Sequence, residues 1–154
     1  MDAHALLLGT HIAAGCTGLV VGAAALAVPK RRGWHVRCGR AYQVVVAVMT
    51  SSAVVLAVTA PRTLWGLLVI AVATETAALA GWVVARRRRP GWLPVHVSLV
   101  AGSYVSFVTA ALVVNWSSPL AWVLPTLVGS PLIAWTARRV GRAGPRRELA
   151  TVPR

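Results

Sequence analysis

Five long apolar blocks, separated by short connections that hold nearly all the charge, leave this chain few ways to fold. The blocks cover residues 5–28, 41–60, 64–85, 95–116 and 119–137. At ~1.5 Å per helical residue each can cross ~30 Å of hydrocarbon, the last only just. Lipid offers no partner for a free amide or carbonyl, so each block is expected to be a helix. The connections are short, so neighbouring helices should run antiparallel. The predicted architecture is an all-α, polytopic membrane bundle of about five helices over residues 1–140. A basic cytoplasmic tail at 141–154, polar and holding Pro145 and Pro153, is expected to be disordered.

Composition supports this reading. The chain is 57% hydrophobic and only 12% charged, against about 45–50% and about 25% for a soluble domain. A net charge of +13 would suggest nucleic acid in a soluble protein. Here the cations lie in runs between apolar blocks, where they orient a membrane protein and meet anionic lipid headgroups. No nucleic-acid partner is expected.

Lys30, Arg31, Arg32, Arg37 and Arg40 follow the first block. Arg86, Arg87, Arg88 and Arg89 follow the third, and Arg138, Arg139, Arg142, Arg146, Arg147 and Arg154 follow the fifth. The second connection holds Arg62 alone and the fourth holds none. The positive-inside rule then puts the N-terminus outside and the C-terminus in the cytoplasm. Four spans, with the last block lying on the surface, is the competing topology. Trp34, Trp82, Trp92 and Trp135 fall near the cytoplasmic ends, and Trp65, Trp116 and Trp122 near the outer ends, as interfacial belts require.

Cys16 lies within the first block and Cys38 in a basic connection, so no disulfide is expected. The first block is too long for a signal peptide and is read as a retained span. Phosphate-loop, dinucleotide and serine-hydrolase motifs are absent, no activated nucleophile is visible, and no internal repeat stands out. An enzyme is therefore not the favoured reading.

The candidate packing residues are Gly15, Gly18 and Gly22, which share a face of the first helix with His4 and His11. Gly18 and Gly22 form a GxxxG that admits a close neighbour or a homodimer partner. Pro125 and Pro131 flank Gly129 in the fifth block.

Glu75 is the only charge in its block, and the chain has just two other acids, Asp2 and Glu148. By residue count it lies ~16 Å from the outer side, near midplane. A charge there costs at least ~2.5–3.5 kcal/mol on insertion scales. Its carboxyl is therefore expected to face the bundle interior and to be neutral or to share a proton through hydroxyls. Thr74, Thr76, Ser51, Ser52, Ser103 and Tyr104 fall at the same depth. His11, Thr109 and Thr126 form a shallower layer. The ligand-binding candidates are His11, Glu75, Ser103, Tyr104, Ser51 and Thr109. Near the cytoplasmic face, His35, His96 and Cys38 could ligate a transition metal, or the two histidines a haem.

The stretches "THIAAGCTGLVVGAAALAVPKRRGWHVRCGRAY" and "HVSLVAGSYVSFVTAALVVN" resemble the bacterial membrane proteins grouped as domain of unknown function 2306. The resemblance covers roughly residues 9–130 and rests on His11, Gly15, Gly22, His35, Gly39, Arg40, Tyr42, His96, Ser103 and Tyr104. It implies a multi-pass protein of the bacterial plasma membrane and assigns no activity. Glu75 is not part of the pattern. Three functions follow from the residues: a binding protein or transporter for a small ligand or protons, a haem or metal protein, and an accessory subunit or scaffold of a membrane complex.

Overall fold

The computed structural model describes residues 2–30, 33–59 and 61–150, without the side chains of 61–64 and 143–150. Its helices are α1 (Ala3–Ala27), α2 (Trp34–Thr59), α3 (Pro61–Arg87), α4 (Trp92–Asn115) and α5 (Leu120–Ala150). All five are long and apolar enough to cross a membrane. They extend past the apolar blocks at most ends because flanking polar residues continue the same helical turns. The tail expected to be disordered is helical as far as Ala150; residues 151–154 lie outside the described set.

α1 through α4 form a closed ring in which each helix packs on the next and α1 returns to α4. α5 stands outside the ring and packs along α4, with its Trp122 reaching Gly66 of α3. The core is small: Tyr42, Val46, Met49, Ala78 and Phe107. Many of the other large apolar side chains point outward, and Val20, Val58 and Leu127 are more than 60% exposed. In water that surface would be an aggregation liability; against acyl chains it is what a span needs.

The ring has an internal two-fold relationship. α1 buries Gly18, Gly22 and Ala25, and α3 buries Thr74, Ala78 and Gly81, each 56 residues later. α2 buries Tyr42 and Val46, and α4 buries Ser103 and Phe107, each 61 residues later. The hydrogen bonds obey the same offsets. His35 Nδ1–H donates to the Ala25 carbonyl at 3.1 Å, and His96 Nδ1–H to the Gly81 carbonyl at 2.9 Å. Gln43 reaches from α2 to Glu75 on α3, and Tyr104 reaches from α4 to Leu19 on α1. α2 and α4 also start alike: each begins at a tryptophan preceded by a glycine of positive φ, Gly33 at 124° and Gly91 at 74°. A side chain is disfavoured at both glycines.

The packing glycines act inside the chain. A Cβ on Gly18 would lie 2.7 Å from the Phe107 ring, and one on Gly22 2.5 Å from Tyr104 and 2.9 Å from Tyr42. The GxxxG seam is therefore occupied by α2 and α4, which corrects the expectation that it is free for a homodimer. Gly15 has no neighbour within 4 Å of a Cβ and is not a packing residue within this chain.

The cations collect at one end of the bundle, around the start of α2, the α3–α4 connection and the basic stretch of α5. Four arginines there lie over tryptophans: Arg37 on Trp34 at 5.5 Å, Arg86 on Trp82 at 4.5 Å, Arg88 on Trp92 at 5.7 Å and Arg139 on Trp135 at 5.3 Å. Such contacts contribute about 0.5–1 kcal/mol each when exposed. Lys30 closes α1 by donating to the carbonyls of Ala25 and Val28, at 3.0 and 3.1 Å, and of Leu26. Partial burial of its ammonium lowers its pKa.

Candidate functional site

Glu75 sits in the crevice between α2 and α3, half-buried. Its neighbour Thr74, only 1% exposed, takes the central position that sequence reading gave to Glu75. The reason is angular: adjacent helical residues are about 100° apart, so one of the two must turn aside.

Two neutral donors from α2 meet the carboxyl. Gln43 Nε2 lies 3.4 Å from Oε1, and Thr50 Oγ1 lies 3.0 Å from Oε2. Gln43 and Thr50 are seven residues apart and so share a face. Thr50 Oγ1 is also 2.9 Å from the Val46 carbonyl. Its single proton cannot serve both oxygens at once. With Glu75 ionised, Thr50 donates to the carboxylate. With Glu75 protonated, Thr50 donates to Val46 and accepts from the carboxylic acid. The pair can therefore satisfy either protonation state without moving a helix. Among the described residues no cation pairs with Glu75.

The other ligand-binding candidates do not join it. His11, half-buried on α1, directs Nδ1–H at the Ser52 hydroxyl (3.0 Å) and the Met49 carbonyl (3.2 Å). Ser52 in turn donates to the Val48 and Met49 carbonyls. Ser52 and Thr50 are about 200° apart around α2, so α2 itself separates His11 from Glu75. Ser51 is exposed on the outer surface of α2, which removes it from any interior site.

Ser103 and Tyr104 build the centre of the ring. The Tyr42 hydroxyl meets Ser103 Oγ at 3.1 Å, while Ser103 donates to the Val100 carbonyl at 2.8 Å; Tyr42 must then be the donor. Tyr104 donates to the Leu19 carbonyl at 3.0 Å. The two tyrosine rings are tilted with centroids 6.4 Å apart. These hydroxyls are engaged in holding helices together. Thr109 is buried and donates to the Val105 carbonyl. It lines a groove of about 360 Å³ between α3, α4 and α5 that also includes Trp65, Ser106, Trp122 and Thr126 but not Glu75.

His35 and His96 are half-buried at the basic end and near enough to interact electrostatically. Each donates Nδ1–H to a carbonyl, which leaves Nε2 as the free lone pair. That is the tautomer a metal-ligating histidine adopts. Cys38 does not complete the set: among the described residues no three His, Cys, Asp or Glu side chains cluster as a metal site.

Gln43, Thr50 and Tyr42 were missing from the sequence-derived site. Gln43 carried a signal, as the only glutamine of the chain placed in an apolar helix with a threonine seven residues on. Searches for relatives give no further guide: no family model, curated protein or solved structure matches the chain.

Proposed function

We propose that this is a multi-pass protein of the bacterial plasma membrane, N-terminus outside and C-terminus cytoplasmic, that takes up a proton or a small cationic ligand at Glu75. The membrane placement is supported by five apolar helices, the single basic end and the arginine-stacked tryptophans at that end. The observation that carries the function is the environment of Glu75: a half-buried carboxyl with two neutral donors and no described cation. A carboxylate in that setting gains from any positive charge that enters the crevice. Intramembrane carboxyls of this kind mark proton and ion pathways.

The test is modification by a membrane-permeant carbodiimide, which reacts with the protonated carboxyl, on protein reconstituted in lipid. Labelling is expected at Glu75, strongest at acidic pH and falling as pH rises, and it should vanish in Glu75→Gln. An unreactive Glu75 at every pH would overturn the proposal.

A second reading rests on the His35 and His96 geometry. Two free Nε2 lone pairs at one end of the bundle suit a transition metal or a haem iron. A metal analysis and an absorption spectrum of protein purified from cells decide it; the expected result is a bound metal or a haem band that disappears in His96→Ala.

A further inference from the structure

α5 turns Gly129 and Gly141 toward α4, where Cβ atoms would meet Val105 and Pro94. On its other side it carries a groove of about 610 Å³ lined by Pro131, Ala134, Trp135, Arg138, Arg139 and Arg142. The groove is apolar in its first half and cationic in its second. From Pro131 to Arg142 it follows α5 for ~16 Å, the length of a headgroup and the upper part of an acyl chain. Arg139 is held over the Trp135 ring at 5.3 Å, so one guanidinium is already fixed at the boundary between the two halves.

We infer that this groove is a binding site for a single anionic phospholipid, its phosphate on Arg138, Arg139 and Arg142 and an acyl chain over Pro131, Ala134 and Trp135. Charge complementarity identifies the occupant. Three arginines line its cationic half, and the described acids lie elsewhere, Asp2 at the start of α1 and Glu75 in the middle of α3. Glu148 follows on α5, its side chain outside the description. Guanidinium forks match phosphate oxygens, and a lipid supplies the phosphate together with the chain that the apolar half requires. The site rests on the bilayer placement proposed above and is independent of Glu75.

The experiment is native mass spectrometry of the full chain released from nanodiscs containing phosphatidylglycerol and phosphatidylcholine. The wild type is expected to retain one phosphatidylglycerol in preference to phosphatidylcholine. The triple variant R138Q/R139Q/R142Q should bind it at least about tenfold more weakly. A control with the same charge removed at the same end, R86Q/R87Q/R89Q, should retain it. Trp135→Ala leaves every charge in place and should also weaken retention, which covers the case of a triple variant that fails to fold. Equal loss in the control, retention in the α5 triple variant, or equal retention of phosphatidylcholine would overturn the assignment. So would displacement of the lipid by inorganic phosphate, which would mark a site for the free ion. None of these readouts depends on carbodiimide labelling, so the lipid site and the Glu75 proposal fail separately.

Discussion

The Tyr42 phenol donates to the Ser103 hydroxyl over 3.1 Å, and those two residues occupy equivalent positions in the two halves of the ring. α2 and α4 are opposite one another in the ring, so this bond crosses its centre. Tyr42 is 3% exposed and Ser103 is not exposed at all. In each half, the residue two turns earlier is a histidine tied to the preceding helix. The paired hydrogen bonds thus lie at two levels, one near the basic end and one at the middle of the bundle.

Tyr42→Phe should therefore weaken the bundle by about 0.5–1.5 kcal/mol, one net hydrogen bond. The loss stays small because Ser103 still donates to Val100. Tyr42→Ala should cost about 3–5 kcal/mol, as truncation of a buried aromatic does. Denaturant unfolding in detergent, followed by tryptophan fluorescence, measures both. Equal effects of the two variants would mean that the hydroxyl carries the whole stabilisation and that burial of the ring adds nothing.

Glycine substitutions separate the packing seam from its sequence neighbour. Gly22→Ala should destabilise strongly, because the new Cβ would lie 2.5 Å from Tyr104 on one side and 2.9 Å from Tyr42 on the other; overpacking of this kind costs about 1–3 kcal/mol. Gly15→Ala meets nothing within 4 Å and should be neutral or stabilising by up to about 1 kcal/mol through helix propensity. The same unfolding assay ranks them. Comparable losses at both positions would place another chain against Gly15.

The sequence was informative about elements and level, and silent about direction around each helix. Five apolar blocks become five helices because lipid-length hydrophobic runs have few alternatives. Counting residues placed Glu75, Ser51 and Ser52 at neighbouring depths, yet it could not show that α2 would come between Glu75 and His11. Ser51 and Ser52 are equivalent by count; one faces outward and the other is buried. The two-fold relationship was hidden for a related reason. Its buried positions hold different residues, Gly18 against Thr74 and Val46 against Phe107. The offsets also change from 56 to 61, because α3 and α4 each extend about one turn further past the equivalent level than α1 and α2 do.

Equivalent positions should respond equivalently. His35→Ala and His96→Ala each remove one carbonyl tie between consecutive helices, so each should cost about 0.5–1.5 kcal/mol. The residues are on different hairpins, yet the two losses should agree within the error of the unfolding measurement. A much larger effect of one would show that it has a further partner, and metal content measured on the same samples would show whether that partner is an ion.

The donors around Glu75 give the sharpest prediction. Thr50→Val keeps the shape of the side chain and removes the hydroxyl that can turn toward Oε2. Gln43→Leu removes the amide that faces Oε1. Each of these side chains holds one carboxyl oxygen in the crevice, so loss of either leaves the carboxyl freer to meet the carbodiimide. At a fixed pH near neutrality, both variants should label faster than the wild type, and the double variant faster still. The 3.0 Å contact of Thr50 is shorter than the 3.4 Å contact of Gln43, so Thr50→Val should have the larger effect. Mass spectrometry of the peptide containing Glu75 gives the labelling rate directly. Slower labelling in Thr50→Val would mean that the threonine acts chiefly as an acceptor for the protonated acid, and the ionised state would then lack its principal donor.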